Sequence, residues 1–289
     1  MRADGTVVAQ TEAVSTAQTS TQASAPPFGA LMREWRRRRR LSQLELAIGA
    51  DVSSRHVSFI ETGRSAPSRA MVLRLATTLG VPLREQNQLL LAAGLAPEYS
   101  ERSWEDPELA AVRAGVERVL DAHELHPCLV VDREWNIVRA NAATALLLDG
   151  VAPELLEIPN ALRIALHPNG LARRIENLAQ WRHHLLERLR RESLAGDRAE
   201  LRSLLAELEA YPAYPGGPRE ADELGGVAVP LRLVTTGGEA LSLLSMVSTF
   251  GTALDLTVAE LSIEAFLPAD PRTARFLADA ARDREVTDG

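Results

Sequence analysis

Residues 41–63 read LSQLELAIGADVSSRHVSFIETG, and this stretch constrains the chain more than any other. Ser42 is followed three residues later by Glu45, the spacing of a capping box: the hydroxyl takes a first-turn N–H and the carboxylate reaches back. Leu44, Ala47 and Ile48 then form the expected buried face of a short helix. Gly49 and Asp51 lie where that helix must stop, Gly because it favours positive φ and Asp because it tolerates it. Ser53 caps a second helix, with Val57 and Ile60 inward, Phe59 partly covered and Gly63 at its end. Two short helices joined by so tight a turn make a helix-turn-helix.

The second of these helices leaves Ser54, Arg55 and Ser58 outward near its N-terminus, where side chains reach base edges in a DNA major groove. An arginine there grips guanine O6 and N7 with two bonds, worth about 1–3 kcal/mol of discrimination. Gln43, in the first turn of the preceding helix, is placed to bond a phosphate. The arginines at 36–40, among them Arg38 and Arg40, supply sequence-independent attraction together with Arg64. The charge distribution agrees. Residues 1–64 carry nine Arg against six acids, a balance of +3, whereas the remainder carries −10 of the net −7. Flanking helices beginning at Phe28, at Pro67–Ser68 and near Leu83 complete a bundle over 28–94, with Met71, Leu73, Leu75, Ala76 and Leu79 available to its core.

The run LSQLELA…DVSSRHVSFIETGRSAPS…LRLATTLGV resembles the XRE family of helix-turn-helix regulators, relatives of the phage lambda repressor. The resemblance covers residues 28–94 and implies a lambda-repressor-like all-α bundle. It also implies that Gln43, Ser54, Arg55 and Ser58 face DNA, and the capping Ser53 is expected to join them. The sequence departs from the family at Asp51, where the turn usually has Gly, and at Val57, where Ile is usual.

Residues 1–27, rich in Ser, Thr, Ala and Gln, have no sustained period and are expected to be a disordered tail. Residues 95–106 are an acidic, Pro-containing linker. A helix is expected over 109–120, then a strand at 128–131, a tight turn, a return strand at 135–140 and a helix capped by Asn141. Helices fill most of 159–209. The longest, over 171–193, puts Ile175, Leu178, Trp181, Leu185 and Leu189 on one stripe. After a polar break at 211–226, strands are expected at 227–235, 240–248 and 254–266, and a last helix at 272–282, before a tail at 284–289.

This order is that of a PAS-like α+β domain, a five-stranded antiparallel sheet with helices over one face. Residues 107–283 resemble the ligand-binding domain of MmyB-like regulators, carried by LVVDREWNIVRANAAT, LHPNGLARRIENLAQWRHHLLERLR and GTALDLTVAELSIEAFLPAD. The resemblance implies a pocket for a lipid-like ligand such as a fatty acid. Trp135, Leu162, Leu166, Trp181, Leu185, Leu243, Met246 and Phe250 are available to line it. Arg163, His167, Arg173 or His183 are available for an anionic head. A ligand-free dimerisation domain would show the same apolar pattern.

The whole is therefore expected to be a two-domain α+β regulator that binds a palindromic double-stranded DNA operator as a homodimer and senses a small apolar ligand. The alternative is a DNA-anchored adaptor whose second domain binds only protein. No P-loop, GxGxxG, HExxH or GxSxG is present, so no enzyme and no required cofactor is expected. His123 and His126 lack an evident third metal ligand, and no metal site is expected. His167, His183 and Cys128 are equally available as axial ligands to a haem, and nothing separates them. The lone Cys128 excludes an internal disulfide, no apolar run reaches membrane-spanning length, and a cytoplasmic protein is expected.

Overall fold

The computed structural model describes residues 27–195, 198–212 and 228–288; the N-terminal tail, nearly all of the polar break and the final residue lie outside them. Five helices form the first domain: α1 (Phe28–Arg38), α2 (Gln43–Gly49), α3 (Ser54–Glu61), α4 (Arg69–Thr78) and α5 (Leu83–Ala92). The caps are as the spacing predicts. Ser42 Oγ accepts from Glu45 N at 3.1 Å, and Glu45 Oε2 accepts from Ser42 N at 2.7 Å. Ser53 Oγ accepts from His56 N and Ser68 Oγ from Met71 N. Met32, Leu46, Ile60, Leu75 and Leu90 are among the fully buried side chains of the bundle core.

Two details of α2 differ from expectation. Its buried residues are Leu46 and Ala47, whereas Leu44 and Ile48 are 59% and 71% exposed. Seven residues make only two turns, too few for periodicity to fix the rotational phase of a helix. Gly49 keeps helical geometry, and its missing Cβ makes room for Thr78, whose Cγ2 would lie 2.8 Å from it. The left-handed residue of the turn is Asp51, at φ 51°.

The linker is fastened to both domains. Asn87 Oδ1 accepts from Glu98 N and Tyr99 N, and its Nδ2 donates to Tyr99 O at 2.7 Å. Arg102 pairs with Asp255 at 2.8 Å, and Leu256 N donates to Ser100 O. Arg84 of α5 is held between Glu101 and Glu260, the latter at 2.8 Å.

The second domain begins with a 3₁₀ turn at Pro107–Leu109 and α6 (Ala110–Ala122). Strands β1 (Cys128–Val131) and β2 (Ile137–Ala140) precede α7 (Ala145–Leu148), α8 (Ala161–Leu166), α9 (Leu178–Ala195) and α10 (Ala199–Ala210). Then come β3 (Leu231–Val234), β4 (Ala240–Thr249), α11 (Leu256–Ala259), β5 (Ser262–Pro268) and α12 (Pro271–Asp288). The sheet runs β2-β1-β5-β4-β3, antiparallel throughout. Asn141 caps the turn before α7 through Thr144 N, and its Nδ2 donates to the carbonyls of His123 and His126.

The helix expected over 171–193 starts later. Leu171–Arg174 is a 3₁₀ turn, and Ile175 bridges Leu233 of the sheet before α9 begins. Ile175, Trp181, Leu185 and Leu189 of the stripe are nonetheless buried and Leu178 half-buried, because both conformations point them at one core. Residues 255–261 are not strand: Asp255 caps α11 through Thr257 N and delays β5 to Ser262. Helix α12 continues through 284–288, residues expected to belong to a tail. Both faces of β1 are buried, not one. Leu129 and Val131 join the main core, while Cys128 and Val130 pack with Val116 and Leu120 of α6.

Gly29 tests the tightness of the bundle, since a Cβ there would stand 2.6 Å from Ile60 O and 2.7 Å from Glu61 O. Gly29→Ala is expected to lower the calorimetric unfolding midpoint, overpacking costing about 1–3 kcal/mol. Gly115→Ala, in α6 with nothing within 4 Å, is expected to raise it slightly.

Candidate nucleic-acid interface and apolar pocket

Ser53, Ser54 and Arg55 stand exposed at the start of α3, with Ser58 half-buried one turn on. The Arg55 guanidinium lies 5.2 Å from the Phe59 ring centroid, and that of exposed Arg64 lies 5.9 Å from the same ring. One half-buried aromatic thus carries two cations on the outward side of the helix.

What holds α3 in place is the carboxylate of its last residue. Glu61 has no exposed side-chain surface. Arg36 of α1 grips it with both nitrogens, Nε to Oε1 at 2.6 Å and Nη2 to Oε2 at 3.0 Å. Gln43 of α2 donates Nε2 to Oε2 at 2.8 Å, and Arg33 donates to the Glu61 carbonyl at 2.9 Å. Burial would raise the Glu61 pKa, but the hydrogen bonds from Arg36 and Gln43 and the nearby arginine charges hold it below the usual carboxylate range.

The five-arginine run is therefore divided. Arg36 is bound to Glu61 and to the Leu41 carbonyl, and Arg39 bonds the carbonyls of Leu79 and Gly80 at the end of α4. Arg38 pairs with Glu34 and stacks on Trp35, and Arg40 is exposed with φ 57°. Gln43, expected at a phosphate, spends its amide on Glu61.

In the second domain the space between the sheet and helices α7–α9 keeps a cavity of about 50 Å³. Trp135, Leu162, Trp181 and Leu185 line it, as the sequence suggests; so do Leu129, Ile137, Thr144, Leu147, Leu171, Phe266 and Glu264. Leu166 and Leu243 are buried in the same core but do not reach the cavity. Met246 and Phe250 are not on this face. Strand side chains alternate, so Met246 points opposite to Leu243 and is 53% exposed, and Phe250 packs with the cluster under α6.

The expected head-group residues are mostly engaged elsewhere. Arg163 pairs with Glu207 at 2.8 Å, His167 packs edge-on against Tyr211, and Arg173 and His183 are exposed. Cys128, under α6 on the far face of the sheet, has its thiol pushed up to about 11 by burial. Among the described residues no three His, Cys, Asp or Glu side chains gather into a metal-binding group, and no helix is long and apolar enough to cross a membrane.

One residue at this pocket, Glu264, escaped sequence reasoning, and the backbone of a second, Trp135, differs from expectation. Glu264 is buried in β5, accepts from the Ser245 hydroxyl and lies 3.6 Å from Arg188; burial raises its pKa. Its signal was an acid two positions from inward Phe266, on the same strand face. Trp135 was expected to begin a strand but occupies a turn at φ 69°, a conformation costly for a bulky residue. Asp132 Oδ1 holds that turn by accepting from Glu134 N and Asn136 N. The indole then donates to Glu192 at 2.9 Å and packs 4.3 Å from Arg188. Trp135 also lines a second cavity of about 340 Å³, between α5 and the sheet domain, with Arg84, Arg133, Arg188 and Glu260.

Residues 112–280 match the model of the MmyB-like transcription regulator ligand binding domain, and residues 27–89 match a helix-turn-helix domain. An 83-residue segment is 39% identical to the uncharacterized HTH-type transcriptional regulator RghRB of Bacillus subtilis (strain 168). That alignment covers 28% of this chain and 58% of the relative's length. A solved structure of an RNA-binding Light-Oxygen-Voltage receptor aligns over 90% of this chain and 62% of its own, at 15% identity and a TM-score of 0.25, too low to bear on the fold.

Because the folded pKa of Glu61 lies below its unfolded value, its contribution to stability is present above the ordinary carboxylate range and is lost as pH falls through the folded value. Glu61→Gln leaves Arg36 unpaired and is expected to cost on the order of 3 kcal/mol at neutral pH. Denaturant unfolding as a function of pH is expected to show the variant losing less than the native protein on acidification.

Proposed function

Since the chain belongs to the family of MmyB-like transcription regulators, we propose that it binds a palindromic double-stranded DNA operator as a homodimer and responds to a small apolar or lipid-like ligand, such as a fatty acid. The supporting observation is the outward edge of α3: Ser53, Ser54 and Arg55 are exposed on a helix whose far end is fixed by the buried Glu61. Arg55 reads a base edge, Ser54 and Ser58 flank it, and Arg38, Arg40 and Arg64 meet the phosphates. Gln43 acts by holding α2 to α3, and reaches a phosphate only with the part of its amide left free. One bundle covers one half-site, so two copies with half-sites one helical turn apart multiply the binding energy. The protein acts in the cytoplasm, where operators are found.

The ligand site is the seam lined by Trp135, Leu162, Trp181 and Leu185. At about 50 Å³ it has room for about one or two waters, well below the several hundred Å³ of a filled ligand site. A long acyl chain therefore enters only if α8 and α9 move away from the sheet. Such a movement shifts the two DNA-binding heads only to the extent that the ligand prefers one arrangement. The small volume equally favours the second reading, a DNA-anchored adaptor whose sheet domain dimerises or binds a protein.

Arg55→Ala is expected to weaken operator binding by about tenfold and to relax specificity at one base pair, while nonspecific binding and its salt dependence stay nearly unchanged. Binding titrations on operator and scrambled DNA at two salt concentrations check this, and full discrimination by the variant rejects the assignment. For the ligand, denaturing extraction of purified protein followed by lipid mass spectrometry is expected to release a stoichiometric amphiphile. An empty extract favours the adaptor.

A further inference from the structure

Two buried hydrogen-bond donors at the apolar seam are left without partners among the described residues. Trp181 is 3% exposed and lines the cavity, and its Nε1–H has no hydrogen-bond partner among the described residues. An indole nitrogen only donates. Left unmade in a buried site, that bond costs about 1–3 kcal/mol. Trp135, on the same cavity, is satisfied by Glu192, whereas Trp104 is also unpartnered among the described residues but lines none of the cavities described.

A second unused donor lies behind the cavity wall. Arg174 gives Nη2 to the Leu147 carbonyl at 2.7 Å, and its Nη1 is buried without a partner among the described residues. Leu147 and Leu171, three residues before Arg174, both line the cavity. Two other polar side chains on the lining already have partners within the protein. Thr144 Oγ1 donates to the Cys128 carbonyl, and Glu264 already accepts from Ser245. Burial, partly offset by Arg188, raises the Glu264 pKa.

We propose that the ligand of this pocket is an apolar molecule bearing a carbonyl-type oxygen, as a carboxylate, ester or ketone, and that the Trp181 Nε1–H receives that oxygen. The inference rests on the seam being a ligand site. Trp181 orients the ligand; the surrounding leucines supply the burial. Arg174, one wall removed, selects a carboxylate over a neutral carbonyl once the ligand displaces the side chains between them.

The test uses the full chain and three six-carbon probes, short enough to need only a limited opening of the seam: n-hexane, 2-hexanone and hexanoate. Calorimetric titration is expected to show at least one oxygenated probe binding about tenfold more tightly than n-hexane. Trp181→Phe, which removes the donor and keeps the ring packing, is expected to cut that preference below threefold without changing the affinity for n-hexane. In the native protein the Trp181 indole N–H resonance is expected to move downfield with the oxygenated probe only. If the variant does not fold, this resonance decides the matter. A preference for hexanoate over 2-hexanone that Arg174→Gln abolishes identifies the carboxylate; a preference for the ketone identifies a neutral carbonyl and removes Arg174 from the site. Equal affinity of all three probes, or an unmoved indole resonance, overturns the proposal while leaving the pocket. Binding of none of them overturns the pocket reading and the proposal together.

Discussion

The carboxylate of Glu61 is shut off from solvent, and three helices meet on it. It ends α3, receives Arg36 from α1 and Gln43 from α2, and its carbonyl takes Arg33. A buried ion pair adds little net stability over an apolar contact, since desolvation offsets most of the attraction, but it is directional. Apolar packing of Val57 and Ile60 alone would tolerate small rotations of an eight-residue helix. Two hydrogen bonds from one guanidinium and a third from an amide do not. The side chains at the start of α3 are thereby presented at a fixed angle, which base reading requires. Gly29 belongs to the same arrangement, because only a residue without Cβ lets α1 lie against the end of α3.

The helical bundle and the sheet domain are joined by polar contacts that depend on side chains far apart in sequence. Arg84 bridges to Glu260, and Arg102 to Asp255. Trp135 connects this junction to the apolar seam, since its ring lines both cavities and its turn is held by Asp132. A change in the seam that moved this indole would disturb Arg188 and Glu192 on the face that looks towards α5. The route is short and made of named contacts.

Much of the fold was legible because short-range rules decide it. The serine caps, the positive φ of Asp51 and Gly63, the cap at Asn141 and the positions of β1 and β4 all follow from chemistry within a few residues. Where a decision hung on distant partners, the reading slipped. The face of α2 could not be phased from two turns, and Leu44 and Ile48 lie outside as a result. The start of α9 was misplaced because Ile175 is drawn into a bridge with Leu233, and the start of β5 because Asp255 caps a helix that also meets Ser100. Met246 was assigned to the pocket without its strand parity, and it faces the other way.

The sequence by itself determined the element order, the capped helix pair, the basic character of the first domain and the apolar stripe of α9, all set by spacing, charge count and local hydrogen bonding. Tertiary structure alone decided which of those groups remain available. Arginines at 36–40 are indistinguishable in one dimension, yet Arg36 is consumed by Glu61 and Arg39 by the end of α4, while Arg40 stays exposed. Trp135 and Trp181 read alike as apolar anchors, but one indole finds Glu192 fifty-seven residues away and the other finds no acceptor among the described residues. The physical reason is common to both cases. Whether a polar group is spent depends on which partner the fold brings within about 3 Å of it, and chain spacing carries no record of that distance.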